Sequence, residues 1–329
     1  MISKVTFVKI ICILFTVAFT SVSTSAQITN HNIFKIEDKY NELGTKFTAK
    51  NAVIEDSLGF MWIGTEKGLC KYSGSTIHCY RNVIDDKNSI DGNNISFLML
   101  DSDHLIWTAI YDKGINVFDI NGKKIYDFAY EPETDQSLLH DNVWGMWEDQ
   151  DGFIWISYFY GGITRYDKKN GKYDHFSIDD EKSLKNHRPR TVVSISKHRK
   201  EDHTYWLATS AGLVKFNTRT REFSSFTFSK PIEQKTHESQ YNRNKLVPIW
   251  ARNMCQDNHG NLWIGSYGGL VKFNIEEETY EIFRQVEDQT LNNVCGVINY
   301  DNNHIMLSFI GGLSSVSYTH LTLPTILLV

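Results

Sequence analysis

The stretch Met254–Asn274, MCQDNHGNLWIGSYGGLVKFN, decides how this chain folds. An acid, Asp257, stands six residues ahead of Trp263, with the turn pair His259-Gly260 between them. An Asp and a Gly between two apolar runs mark a tight hairpin, because the acid bonds nearby backbone N–H groups and the Gly supplies a left-handed turn residue. Gly269-Leu270 then opens a third strand, and Tyr280-Glu-Ile-Phe283 reads as a fourth. Four antiparallel strands of this kind expose an apolar face that only a neighbouring copy can cover.

The copies are present. Trp62, Trp107, Trp155 and Trp206 keep the same frame in WIGTEKGL, WTAIYDKGI, WISYFYGGI and WLATSAGL, and Met306 takes the tryptophan slot in MLSFIGGL. Successive copies lie 43 to 57 residues apart, the size of a propeller blade rather than of an ankyrin or leucine-rich unit. The chain is therefore expected to be an all-β propeller of four-stranded antiparallel blades, with six blade signals that form part of a seven-bladed ring. Its innermost strands should begin near Asn51, Ile95, Val143, Val192, Ala251 and Val294. The Trp, Leu and Tyr/Phe slots read as packing between blades, and Gly68, Gly114, Gly162, Gly212 and Gly269 as positive-φ backbone. The acid recurs as Asp56, Asp101 and Asp149, where turn capping is favoured over calcium because Asp149-Gln-Asp151-Gly152 lacks further oxygen ligands. No metal or cofactor is assigned. The fourth unit departs from the pattern, with the charged insertion Lys197-His-Arg-Lys-Glu-Asp202 in place of the turn.

Composition agrees with a β-rich folded chain: 329 residues, 13% aromatic, 41% hydrophobic and only 5 Pro. A formal charge of -5, from 34 Lys+Arg against 39 Asp+Glu, gives no electrostatic case for binding nucleic acid. Lys4 and Lys9, the apolar run Ile10–Phe19 and the small residues Ser21–Ala26 have the order of a secretory signal peptide over residues 1–26, which places the remainder in the periplasm. The propeller is then expected over 27–313. Residues 314–329 form an apolar tail without blade periodicity, which leaves an atypical, non-native end and a genuine closing strand as the two readings. Cys70 and Cys79 flank the turn Ser73-Gly74-Ser75, which leaves both a cross-hairpin disulfide and two unpaired thiols open.

The strings IEDSLGFMWIGTEKGLCKY (54–72), MWEDQDGFIWISYFYGGITRYD (146–167) and the opening 254–274 resemble the two-component regulator propeller repeat, found in the sensor region of hybrid two-component histidine kinases of the Bacteroidetes type. The resemblance runs over about residues 45 to 313. It implies a membrane-anchored receptor that senses oligosaccharides to control polysaccharide-utilisation genes through a downstream histidine kinase. On that reading the chain itself is not an enzyme, and its partners are an oligosaccharide, the receptor's C-terminal domains, and a second copy in a homodimer.

Catalytic motifs are absent from the sequence: there is no G-x-S-x-G, H-E-x-x-H, P-loop or C-x-x-C. Adjacent acids such as Glu148-Asp149 point to opposite faces of a strand and cannot flank one glycosidic bond. A propeller lyase or hydrolase acting on polysaccharide, or a protein-interaction scaffold, remains the alternative. The ligand face is expected where the connection between blades meets the loop after each Trp strand. Counting back five and seven residues from each hairpin acid gives Asn94 and Ser96, Asn142 and Trp144, and Trp250 and Arg252, with Arg190 in the irregular fourth unit. The loops after the Trp strands add Tyr111, Tyr158, Tyr160 and Tyr267. Aromatic faces beside Asn and Arg donors suit a sugar, which stacks its C–H face on a ring and gives its hydroxyls or a uronate carboxylate to the polar groups.

Overall fold

A computed structural model of the chain describes residues 52–159, 161–178, 190–228, 250–283, 293–301 and 304–309, with the backbone of strands Gly312–Ser317 and Leu327–Leu328. The leader read over residues 1–26 lies outside them. All the described elements are strands, arranged in six four-stranded antiparallel sheets that follow one another along the chain. The propeller expected from the repeat is therefore the fold. The innermost strands are Ala52–Glu55, Ile95–Leu100, Val143–Glu148, Val192–Lys197, Ala251–Gln256 and Val294–Asn299. They lie side by side from the first blade to the sixth.

The second strand of each blade carries the tryptophan, as in Thr204–Thr209 and Asn261–Ser266. Both of these are buried along their whole length, because blades cover the sheet on either side and no face is left to alternate with solvent. Each Trp packs into the blade that follows: Trp62 against Ile95, Ile106 and Phe118, Trp206 against Met254, Leu262 and Phe273, and Trp263 against Val294, Val297 and Leu307. Truncating a fully buried side chain of this size costs about 3–5 kcal/mol, so the repeated tryptophans are the principal adhesive between blades. The glycine after them is required by close approach. At Gly212, φ is +115° and an added Cβ would stand 2.4 Å from the Phe226 carbonyl oxygen.

The hairpin acid does more than close its turn. Asp257 accepts backbone N–H bonds from His259 and Asn261 at Oδ1 (2.8 and 2.9 Å), and the Trp263 indole N–H at Oδ2 (2.8 Å). Asp56, Asp101 and Asp149 repeat this arrangement with Trp62, Trp107 and Trp155. The six-residue spacing thus ties turn to core. In the fourth blade His198 takes the place of the acid: its Nδ1 accepts the N–H groups of Lys200 and Glu201 (3.2 and 3.0 Å), and its ring stacks on Trp206 at 5.9 Å. A ring nitrogen cannot also reach the indole, and the Trp206 N–H is buried without a partner among the described residues.

Cys70 and Cys79 are opposite one another on the third and outer strands of the first blade and form a disulfide. That settles the alternative the sequence left open. In the sixth blade the third strand runs to Ser317, past the boundary read at residue 313, and Leu327–Leu328 pairs with its start.

Candidate functional site

The two ends of the propeller differ. At the hairpin end, several charges pair within the protein. Lys168 reaches Asp101, Asp103 and Glu148 at 3.2, 2.6 and 2.7 Å, Lys197 meets Asp151 at 2.6 Å, and the Tyr205 hydroxyl donates to Asp149 across a blade seam at 2.9 Å. Burial alone would lower the Lys168 ammonium, but its three carboxylate partners hold it well above the usual lysine range. These contacts staple blades together.

The opposite end is built from the connection entering each innermost strand and the loop leaving each Trp strand. Backbone bonds join the two: Tyr111 N–H to the Asn94 carbonyl (2.9 Å), Phe159 to Asn142 (3.2 Å), Ser210 to Thr191 (3.0 Å) and Tyr267 to Trp250 (3.2 Å). Just inside this rim, five innermost strands carry a β-bulge at the same place. The pairing skips Ser96, Trp144, Val193, Arg252 and Cys295, each the second residue of its strand. A bulge leaves one residue unpaired and re-aims its side chain. Repeated in blades two to six, it puts one residue outside the pairing in each: Trp144 is exposed, Ser96, Arg252 and Cys295 are half-buried, and Val193 packs against the core.

The sequence-derived candidates sort accordingly. Trp144, Trp250, Tyr111 and Tyr267 are exposed on this end, at 43%, 57%, 51% and 51%. Arg252 is half-buried, as are Asn94, Asn142 and Ser96. Asn94 and Asn142 use their carbonyls in the rim bonds above, and the Ser96 hydroxyl donates to the Ala109 and Val143 carbonyls at 3.3 and 3.5 Å. Two candidates are not at the surface. Tyr158 ends its strand pointing into the blade, where its hydroxyl meets Thr164 Oγ1 at 2.8 Å and accepts the Leu139 N–H at 3.2 Å; burial pushes the phenol up to about 12. Arg190 is buried and braces the fourth blade, donating to the Ile178 carbonyl and Ser225 Oγ at 2.9 and 2.8 Å. Tyr160 lies outside the described residues.

Three residues at this end escaped the sequence reading. Phe159, 48% exposed, occupies the place in the third blade that Tyr111 and Tyr267 hold in theirs, four residues after the Trp. Val193 and Cys295 are the bulge residues of blades that lack the Asp-to-Trp spacing used for counting.

The face therefore carries two aromatic pairs. Trp144 and Phe159 lie 5.6 Å apart on the third blade, and Trp250 and Tyr267 lie 6.3 Å apart on the fifth. The fourth blade between them has Ser210 at the position of the loop aromatics, and its bulge residue Val193 packs against the core of the fourth and fifth blades. The Arg252 guanidinium stacks 3.9 Å from the centre of the Tyr267 ring. Exposed rings beside an unpaired cation can stack on an apolar face and supply hydrogen-bond donors at its edge. Among the described residues no cluster of His, Cys, Asp or Glu could hold a metal ion.

Residues 246–268, which include part of the fifth blade, match the two-component regulator propeller model. A curated relative, histidine kinase P4 of Formosa agariphila, is 26% identical over 317 aligned residues; the match covers 83% of this chain and 22% of the relative, so the chain spans about a fifth of that protein's length. Among solved structures, the extracellular domain of a hybrid two-component system from B. thetaiotaomicron superposes with a TM-score of 0.59 at 20% identity, covering 82% of this chain and 33% of that one. The Dos1 propeller superposes at 0.53 and 10% identity, covering 84% and 70%. Likenesses at these identities establish the fold.

Proposed function

We propose that this two-component regulator propeller is the ligand-sensing part of a receptor working outside the cytoplasm, and that it binds an oligosaccharide on the bulged face without turning it over. The single observation that carries the reading is the pair of exposed aromatic clusters on the third and fifth blades, on the end of the propeller opposite the hairpin turns. Two ring surfaces on separate blades suit an extended chain of sugar units better than one compact ligand. The histidine kinase relative and the extracellular two-component neighbour support a sensor role and a periplasmic location.

A sensor acts through the difference in ligand affinity between two states of the whole receptor. Its output therefore needs a kinase in the same receptor, and a dimer is the simplest assembly through which two propellers could act on one. The experiment is a printed array of defined oligosaccharides probed with the full chain, with product analysis by mass spectrometry. Retention of intact saccharides is expected. No retention of any saccharide, or release of cleavage products, would overturn the reading.

A further inference from the structure

Several cations away from this face have partners: Lys168, Lys197 and Lys215 each meet a carboxylate, and Arg165 and Arg221 both reach Asp174. Arg252 meets none among the described residues. Its Nε is sealed from water and donates no hydrogen bond, and its guanidinium plane rests on the Tyr267 ring. The bulge takes it out of the strand pairing, it rests on the exposed Tyr267 of the rim loop, and exposed Trp250 stands at the entry to the same strand. Nothing in the packing calls for a charge here, since the equivalent positions in other blades hold Ser, Trp, Val and Cys.

We infer that the ligand carries an anionic group, the carboxylate or sulfate of an acidic saccharide, which Arg252 binds while Tyr267 holds the guanidinium in place. A planar guanidinium offers paired parallel N–H donors that match the two oxygens of a carboxylate or sulfate, and stacking on a ring fixes its orientation before the ligand arrives. The field of this cation is felt locally: burial pushes the neighbouring Cys295 thiol up, and Arg252 opposes that shift. The chain as a whole is acidic, at -5, so the attraction belongs to the site rather than to the molecule's overall charge. The inference rests on the saccharide reading given above and specifies the chemistry of what that face takes.

The test uses the full chain and matched probes: oligogalacturonate against its methyl ester, and sulfated galactan oligosaccharides against their desulfated forms, titrated by calorimetry. One charged member of these pairs should bind about 10- to 100-fold more tightly than its neutral counterpart, and its affinity should fall as salt is raised. Arg252→Gln should abolish that preference, Arg252→Lys should keep part of it, and Trp250→Ala should weaken charged and neutral probes alike. Equal binding of charged and neutral members, or a preference that survives in Arg252→Gln, overturns the inference and leaves the saccharide reading standing. Failure of every probe, together with an empty saccharide array, overturns both.

Discussion

Replacing Asp257 by Asn isolates the device that repeats through the propeller. The carboxylate accepts four N–H groups: His259 and Asn261 backbone amides on one oxygen, and the Trp263 indole and Asn261 side-chain amide on the other. An Asn keeps the shape but turns one oxygen into a donor. Whichever way its amide is placed, two N–H groups in a fully buried site lose their acceptor. Hydrogen bonds to charged groups contribute about 1.5–3 kcal/mol each. Rotation of Asn261 recovers part of one, which leaves a loss of about 3–4 kcal/mol. For a domain of this size, at about 2–4 °C per kcal/mol, that corresponds to roughly 6–16 °C in melting temperature.

The pH dependence gives a second readout. Burial alone would raise the Asp257 carboxyl, but the Asn261, Trp263 and backbone bonds overcome it and hold it below the usual range. Its stabilisation is therefore full above the unfolded value near pH ~4 and is lost as pH falls through the folded value. The gap between wild type and Asp257→Asn should close in the same window. Thermal melts followed by circular dichroism between pH 3 and pH 7 test both points, and a variant melting within about 1 °C of wild type at pH 7 would refute the reasoning.

The fourth blade should respond to milder acid. Burial holds His198 below the usual histidine range, with Lys215 and Lys200 acting in the same direction and Glu201 and Glu278 against it. The neutral ring is needed for Nδ1 to accept, so stability should fall as pH drops through ~6.5, where the unfolded histidine takes its proton, and level off below the folded value. His198→Asn keeps an acceptor there and should flatten that slope in chemical denaturation; an unchanged slope would contradict the assignment. Converting both Cys70 and Cys79 to Ala removes a short cross-strand closure, and on a chain-entropy account should lower stability by about 2–3 kcal/mol. Equal denaturation midpoints for the pair variant and wild type would show that the first blade does not depend on it.

The blades were legible in the sequence because each packing requirement leaves a residue at a fixed distance. Trp263, Gly269 and Asp257 are set by burial, close approach and capping, so five of the six innermost strands start at the residue expected and the sixth begins at Ala52, next to Asn51. The mouth was less legible because no repeated packing requirement fixes its residues at a set distance. Selecting tyrosines by type brought in Tyr158, which strand alternation turns inward, and passed over Phe159, which the four-residue offset from Trp155 marks. Arg190 was placed by proximity to an irregular unit, where His198 in the acid's slot had removed the counting mark. The bulges leave no sequence signal beyond the counting itself, yet Ser96, Trp144 and Arg252 fall on three of them because the distance from bulge to hairpin acid is the same in each blade.

The central claim is that ligand binding resides on the bulged face. It is tested most directly by calorimetric titration of the full chain and of the triple variant Trp144→Ala, Trp250→Ala, Arg252→Ala with the same array-selected oligosaccharide. The two tryptophans are exposed, at 43% and 57%, and Arg252 makes no internal hydrogen bond among the described residues, so the variant should melt near the wild-type temperature. Loss of measurable binding at an unchanged melting temperature is the predicted result. Binding of undiminished affinity in the triple variant would contradict the account and place the site elsewhere.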